Sequence, residues 1–277
     1  MLALQAPASL LIALGIVVPL AAGFVSALRF QGGWSLHNYD TVLTELPYLP
    51  ILLNTLAIAA LVCLFSVGFA FAACLCVARA GRLATRLFVA ALTVIVAISL
   101  LVKNYAIQVI LAFNGPVNDL GLFLGLWDTR QYLLYTKTVV VIAMVQSLTP
   151  YAALILFGAM RRVDFDIVLA SRTLGAGRWT TFRTAFWPQV SSAVVMASVL
   201  VFSLAAGFFV TPALLGGPTD AMLGSQMHSD LIHNHEQGAG LAAAQGILLA
   251  AILALVALAA MRLAGPGFLR AAEGEGD

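Results

Sequence analysis

Long apolar runs dominate the chain and recur at intervals set by short polar or basic stretches. They cover roughly Pro7–Leu28, Leu52–Val77, Leu87–Val102, Leu133–Met160, Val190–Ala213 and Gly240–Met261. At ~1.5 Å per residue each run crosses or nearly crosses a ~30 Å hydrocarbon layer. The third is the shortest, and the fourth is long enough to tilt or protrude. Lipid offers no partner for backbone amides, so each run must pair its own and become a helix. The pattern predicts an all-α, polytopic membrane bundle of about six transmembrane helices, a single transmembrane domain over residues 1–277. The first basic residue, Arg29, follows the first apolar run, the reverse of a cleavable signal, so that run reads as a retained helix.

Two segments break the pattern. From Lys103 to Gln131, apolar patches (Ile107–Phe113, Leu120–Leu126) alternate with breakers, notably Asn114-Gly115-Pro116. Short helices at the outer face, or dipping part-way into the protein, are expected there. The second segment, residues 161–188, is longer than a connection requires. Asp164 or Asp166 can cap a short helix that Gly175 ends in the left-handed conformation. A second short helix is expected from about Arg178 to Trp187, with Phe182, Ala185 and Phe186 on one face. Pro188 would mark a turn into the next span. A helix–turn–helix with one apolar face and several arginines suits docking into a groove on another protein. An amphipathic connector whose arginines face water or lipid phosphates is the plainer alternative.

Composition agrees with lipid as the solvent: 62% of residues are hydrophobic and only 9% charged, too few charges to coat a soluble domain of this length. The net charge of +2 does not suggest nucleic-acid binding. The placement of charge says more. Ten of the fourteen Lys and Arg fall in two alternate connections and the tail (Arg79, Arg82, Arg86; Arg161, Arg162, Arg172, Arg178, Arg183; Arg262, Arg270), which assigns that side and both termini to the cytoplasm. Cys63, Cys74 and Cys76 share one apolar run and read as small hydrophobes, implying neither metal nor disulfide. The tail from Gly265 to Asp277 reads as a short, loosely held end.

Chemistry-bearing residues are sparse. Asp230 and His233 stand at helical i,i+3 spacing in a segment with His228 and His235, a geometry that admits a metal. Nothing separates it from a polar outer loop, so no metal ligand is assigned. The span with Gln146, Ser147, Thr149, Pro150 and Tyr151 forms a polar zone in which Pro150 frees a carbonyl. Asn54, Ser203 and Gln245 are single polar sites in other spans. Such residues either line a substrate path or bond helices together, at about 0.6–2 kcal/mol each, and sequence does not decide between these. The only lysines, Lys103 and Lys137, follow Val102 and Thr136, so no phosphate-binding Gly-Lys pair exists and any ATPase must be another chain.

The 161–188 segment resembles the EAA loop of permeases from binding-protein-dependent ABC importers. That pattern reads Glu-Ala-Ala, three residues, Gly-Ala, five residues, Phe, then a hydrophobic pair and Pro. Ala170, Gly175, Ala176, Phe182 and Pro188 fall in register, whereas Leu169 replaces the Glu and Ser171 the second Ala. The resemblance extends over about residues 35–260: Asn54-Thr55-Leu56 is similar to the family's Asn-Ser/Thr-Leu, and Lys103-Asn104-Tyr105-Ala106 with Asn114-Gly115-Pro116-Val117-Asn118, and Phe209 to Gly217, are similar to its spermidine/putrescine branch. The branch usually has Arg at Lys103 and Trp near Ile107.

The resemblance implies a permease subunit in the bacterial inner membrane. It forms part of the path for a small solute, a polyamine or similar charged organic molecule. It implies as partners a cytoplasmic ATPase dimer that holds ATP and Mg, a second permease subunit in a heterodimer, and an external solute-binding protein. This chain itself would carry no cofactor and be no enzyme. Coupling to the ATPase would fall to Ala170, Ser171, Leu174, Gly175, Ala176, Arg178, Phe182, Arg183 and Pro188. Leucine at 169, in place of the family's Glu, would deprive the ATPase of one polar interaction. The path would be lined by Asn54, Tyr105, Gln146, Thr149, Tyr151, Ser203 and Thr211. An ion-coupled transporter or channel is the alternative; it predicts buried mid-span charges or an inverted repeat, and neither is visible.

Overall fold

The computed structural model describes residues 2–264 apart from 31, 218, 219 and 234–236, with side chains from residue 14 to 262 apart from 16 and those same positions. The expectation for the tail 265–277 lies outside the described residues. Helices make up almost everything described: α1 (Leu2–Ala27), α2 (His37–Thr44), α3 (Tyr48–Ala78), α4 (Arg82–Ala97), α5 (Leu100–Leu111), α6 (Pro116–Phe123), α7 (Lys137–Met160), α8 (Phe165–Thr173), α9 (Arg178–Thr181), α10 (Trp187–Ala206), α11 (Val210–Leu215), α12 (Leu223–His233) and α13 (Gly238–Ala264). Among the described residues, the one strand pairing is a two-residue antiparallel ladder of Arg29–Phe30 with Gly33–Trp34. Of the described helices, Tyr48–Ala78, Leu100–Phe123, Lys137–Met160, Arg178–Ala206 and Gly238–Arg262 are long and apolar enough to cross a membrane.

Contacts divide the chain into two compact units. The first takes the chain up to Thr55 together with Ala221–Ala254. Its apolar centre is Ala27, Val42, Tyr48, Leu241 and Ala244. Buried Asn38 donates to the carbonyls of Ala27 at 2.9 Å and Arg29 at 3.0 Å, which satisfies acceptors at the C-terminal end of α1. Gly240 is small for a reason: a Cβ there would lie 2.7 Å from Asn38 Nδ2.

The second unit holds Leu56–Asp220 and the chain from Leu255. Helix α7 is its axis, the most buried of the candidate spans, packing on α10, α4, α5 and α11. Small polar groups on α3 dock onto carbonyls of its neighbours. Ser66 Oγ reaches Val145 O at 3.5 Å, and the thiols of Cys63 and Cys74 reach Ser198 O and Ala153 O, each at 3.4 Å. Two of the three cysteines therefore act as weak donors between helices rather than as plain apolar filler.

Three expected boundaries move. The run Leu87–Val102 is not one helix: α4 begins at Arg82 and ends at Ala97, because Ile98 and Ser99 are extended, with ψ 130° and 137°. Helix α5 restarts at Leu100, so the outer segment begins inside the apolar run. The expected span Val190–Ala213 likewise stops at Ala206, and Gly207–Phe209 separates it from α11. Nor does Pro188 turn the chain. Residues Phe182–Phe186 form a π-helical turn in which Trp187 N–H bonds to the Phe182 carbonyl, and Pro188 follows it as the second residue of α10. The helical path is continuous from Arg178 to Ala206.

Candidate functional site: the helix-turn-helix loop and the polar span residues

Asp164 opens the loop. Its carboxylate accepts from Asp166 N at 2.9 Å and Ile167 N at 3.4 Å, capping α8. Gln189, at the start of α10, clamps the same point. Its Oε1 accepts from Asp164 N at 2.8 Å, and its Nε2 donates to Ala185 O at 2.6 Å. Sequence reading passed over Gln189, whose position just after Pro188 carries no motif. Replacing Asp164 by Ala should cost about 1 kcal/mol of local helix stability. Amide exchange over residues 165–173 is then expected to speed up severalfold while membrane insertion is unchanged.

Helix α8 ends in a left-handed cap. Gly175 has φ +88°, its N–H bonds to Arg172 O at 3.1 Å, and Ala176 N–H reaches back to Ser171 O at 3.2 Å. That is the pairing by which a helix closes its last carbonyls around a glycine. Ser171 Oγ lies 3.4 Å from Thr181 Oγ1, which is buried between the two short helices and 3.5 Å from Ala176 O.

The apolar face of the second helix is not free for docking. Phe182 stacks on Trp179 and Phe186, with ring centroids 5.7 and 5.6 Å apart, and Phe186 meets Phe71 of α3 edge-on at 6.4 Å. Ala185 and Phe186 are buried, so this face holds the loop to its own chain. Helical spacing identified the face correctly but cannot say what covers it. The apolar groups left in solvent are instead Ile167, Leu169, Leu174 (87% exposed) and Trp179 (73%). Ala170, Gly175, Arg178, Arg183 and Pro188 are exposed beside them, while Ser171, Ala176 and Phe182 are half-buried.

The polar span residues do not converge. Gln146 and Thr149 share an apolar groove of about 880 Å³ between α3, α4 and α7. Thr149 Oγ1 donates to Val145 O at 2.6 Å rather than to the carbonyl that Pro150 frees. Tyr105 is exposed on α5, and Tyr151 and Ser203 are half-buried on α7 and α10. Thr211 is fully buried and bonded to Asn104 across α5 and α11, at 3.1 Å. Asn54 belongs to the other unit, where it donates to Ala221 O at 3.1 Å. For Thr211 the interhelical reading holds: Asn104→Leu alone should destabilise the fold by about 0.6–2 kcal/mol. Adding Thr211→Val should recover much of that, and a double-mutant thermal-melt cycle measures the coupling.

The segment expected as a polar outer loop is helix α12 as far as His233, and Asn234, His235 and Glu236 lie outside the described residues. Asp230 is 4% exposed and faces inward, accepting from Gln226 Nε2 at 2.9 Å and from Gln245 Nε2 at 2.7 Å. His233 is exposed, with Nδ1 against Ser229 O at 3.0 Å. The i,i+3 pair is thus split between core and solvent. Among the described residues no three metal-ligand side chains gather.

Residues 20–270 match the sequence profile of a family described as binding-protein-dependent transport system inner membrane component. The chain belongs to that family. It is a multi-pass inner-membrane permease subunit of an ABC importer. Among relatives, it is 28% identical over 228 residues to the spermidine/putrescine transport system permease protein PotB of Escherichia coli, covering 81% of each chain. It is 26% identical over 233 residues to the protein of the same name from Haemophilus influenzae, covering 83% of this permease and 80% of that one. A chain in a crystal structure of a bacterial alginate ABC transporter, bound to its periplasmic protein with an alginate pentasaccharide, superposes with a TM-score of 0.79 at 16% identity. That match covers 96% of this permease and 94% of that chain, and it shows the shared fold.

Proposed function

We propose that this permease supplies half of a translocation path for a polyamine or a comparable small charged organic solute. A second permease subunit forms the other half, two cytoplasmic ATPase subunits bind ATP and Mg and drive the cycle, and an external binding protein delivers the cargo. Both termini lie in the cytoplasm, and this chain catalyses no reaction. One observation carries the coupling role: the glycine-hinged knuckle, capped at Asp164 and closed at Gly175, leads without interruption into the rod Arg178–Ala206. A push on Leu174 and Trp179 then moves a membrane helix as a rigid body. ATP favours one arrangement only through its differential affinity for the two states. Ala170, Gly175, Ala176 and the exposed Leu169 are assigned to the ATPase contact, and Gln146 and Thr149 to the path. The cargo assignment leans on the relatives from Escherichia coli and Haemophilus influenzae, whose names specify spermidine and putrescine.

The test is reconstitution of the co-expressed transporter in liposomes with labelled spermidine. ATP-dependent, binding-protein-dependent uptake is expected. A purified permease with no stoichiometric ATPase would contradict the coupling role, whereas ATP-driven transport indifferent to spermidine would overturn the cargo alone.

A further inference from the structure

A second basic site, apart from the knuckle tip, sits where α3 and α7 end and α4 begins. Three arginines, Arg82, Arg86 and Arg161, line a pocket of about 440 Å³ together with Thr85, and no acidic side chain lines it. Its apolar floor includes Val77, Phe157 and Met160. Arg161 lies over the Phe157 ring at 5.9 Å, and neighbouring Arg79 lies over Phe165 at 5.2 Å, so aromatic faces hold two guanidinium groups in place. Arg82 and Arg86 are one helical turn apart on the same face of α4. Beside them on that helix Leu83 and Leu87 are 71% and 61% exposed. Polar headgroup recognition and an acyl-chain surface are therefore adjacent.

We infer that this pocket binds an anionic phospholipid, its phosphate held by Arg82, Arg86 and Arg161 and its chain lying along Leu83 and Leu87. Guanidinium groups pair with phosphate through two parallel hydrogen bonds, and several at one point, with no carboxylate among them, favour a headgroup of net negative charge over a zwitterionic one whose ammonium they would repel. Basic pockets between membrane helices recognise lipid headgroups by this chemistry. The flanking leucines argue for a lipid rather than a free phosphate or an acidic protein surface, neither of which would use them.

The purified transporter in nanodiscs of phosphatidylcholine doped with phosphatidylglycerol tests this, with lipid retained on the protein counted by native mass spectrometry. Phosphatidylglycerol should be enriched over phosphatidylcholine. Each arginine should contribute about fivefold, so Arg82→Gln with Arg86→Gln and Arg161→Gln should lower the enrichment by about a hundredfold. Arg172→Gln, at the same basic end, should leave it unchanged. Should the triple variant fold poorly, the single Arg86→Gln change still predicts a fivefold loss. Three outcomes would overturn the inference: no enrichment in the unaltered protein, enrichment indifferent to these arginines, or displacement of the lipid by millimolar inorganic phosphate. Loss of the ATPase from the triple variant with lipid enrichment intact would reassign the arginines to that partner.

Discussion

Valine in place of Gly175 should abolish most ATP-driven uptake while leaving the protein inserted and folded. Gly175 sits at φ +88°, where a side chain strains the backbone, yet a Cβ there would meet nothing within 4 Å. Crowding is therefore not the cause, and the penalty is conformational: about 1–2 kcal/mol for an ordinary residue and more for a β-branched one. The chain would relieve that strain by opening the cap, which releases the Ala176-to-Ser171 bond. Because 1.4 kcal/mol is a tenfold change in an equilibrium, transport should fall about tenfold or more with valine. Alanine should fall between, and asparagine, which tolerates this region best, should remain nearest normal. Gly177 is the control: its φ is −64° and its Cβ direction is open, so alanine there should transport normally. Uptake and ATP hydrolysis measured on the same liposomes separate lost coupling from lost protein.

Leucine at Asp230 should give a large loss of folded protein. The buried carboxylate is the acceptor for two amides, from Gln226 and Gln245, and Gln245 Oε1 has no partner of its own. Leucine leaves both donors buried without an acceptor, at about 1–3 kcal/mol each. Asparagine is a different substitution in kind. Its Oδ1 can still accept from Gln226, and its Nδ2 can donate to Gln245 Oε1 once that amide rotates. Asp230→Asn should therefore melt close to the unaltered protein and Asp230→Leu far below it. Size-exclusion thermal melts in detergent read both. Equal damage from the two would mean that the negative charge, not the hydrogen bonding, is what the site requires.

What could be read along the chain depended on the range of the interaction. Apolar run lengths located four of the five candidate spans among the described residues, and the Asp164 and Gly175 signals located the loop, because lipid burial and helix capping act within a few residues. The break at Ile98–Ser99 was illegible, since neither glycine nor proline marks it and the run stays apolar across it. Pro188 misled for the opposite reason. Proline usually signals a turn, but here a π-helical turn precedes it and the helix runs on. The inward face of Phe182 and Phe186 depended on Phe71, more than a hundred residues away along the chain. Asp230 and Gln245, or Asn104 and Thr211, meet only once the helices pack, so periodicity shows each residue and never the pair. Leu169, the departure from the family's glutamate, is like Leu174 and Trp179 an exposed apolar group on this loop, which the residue pattern alone does not show.

Coupling requires that the tip of this loop touch the motor. Cysteine placed at Leu174, with Cys63, Cys74 and Cys76 replaced by alanine, allows that to be measured by cross-linking to the co-expressed ATPase in intact membranes. A specific cross-link is expected, with a yield that changes with ATP, and Leu174→Cys should be protected from impermeant thiol reagents applied outside the cell. Labelling from outside, or no cross-link at any nucleotide state in a complex that still transports, would contradict the coupling role.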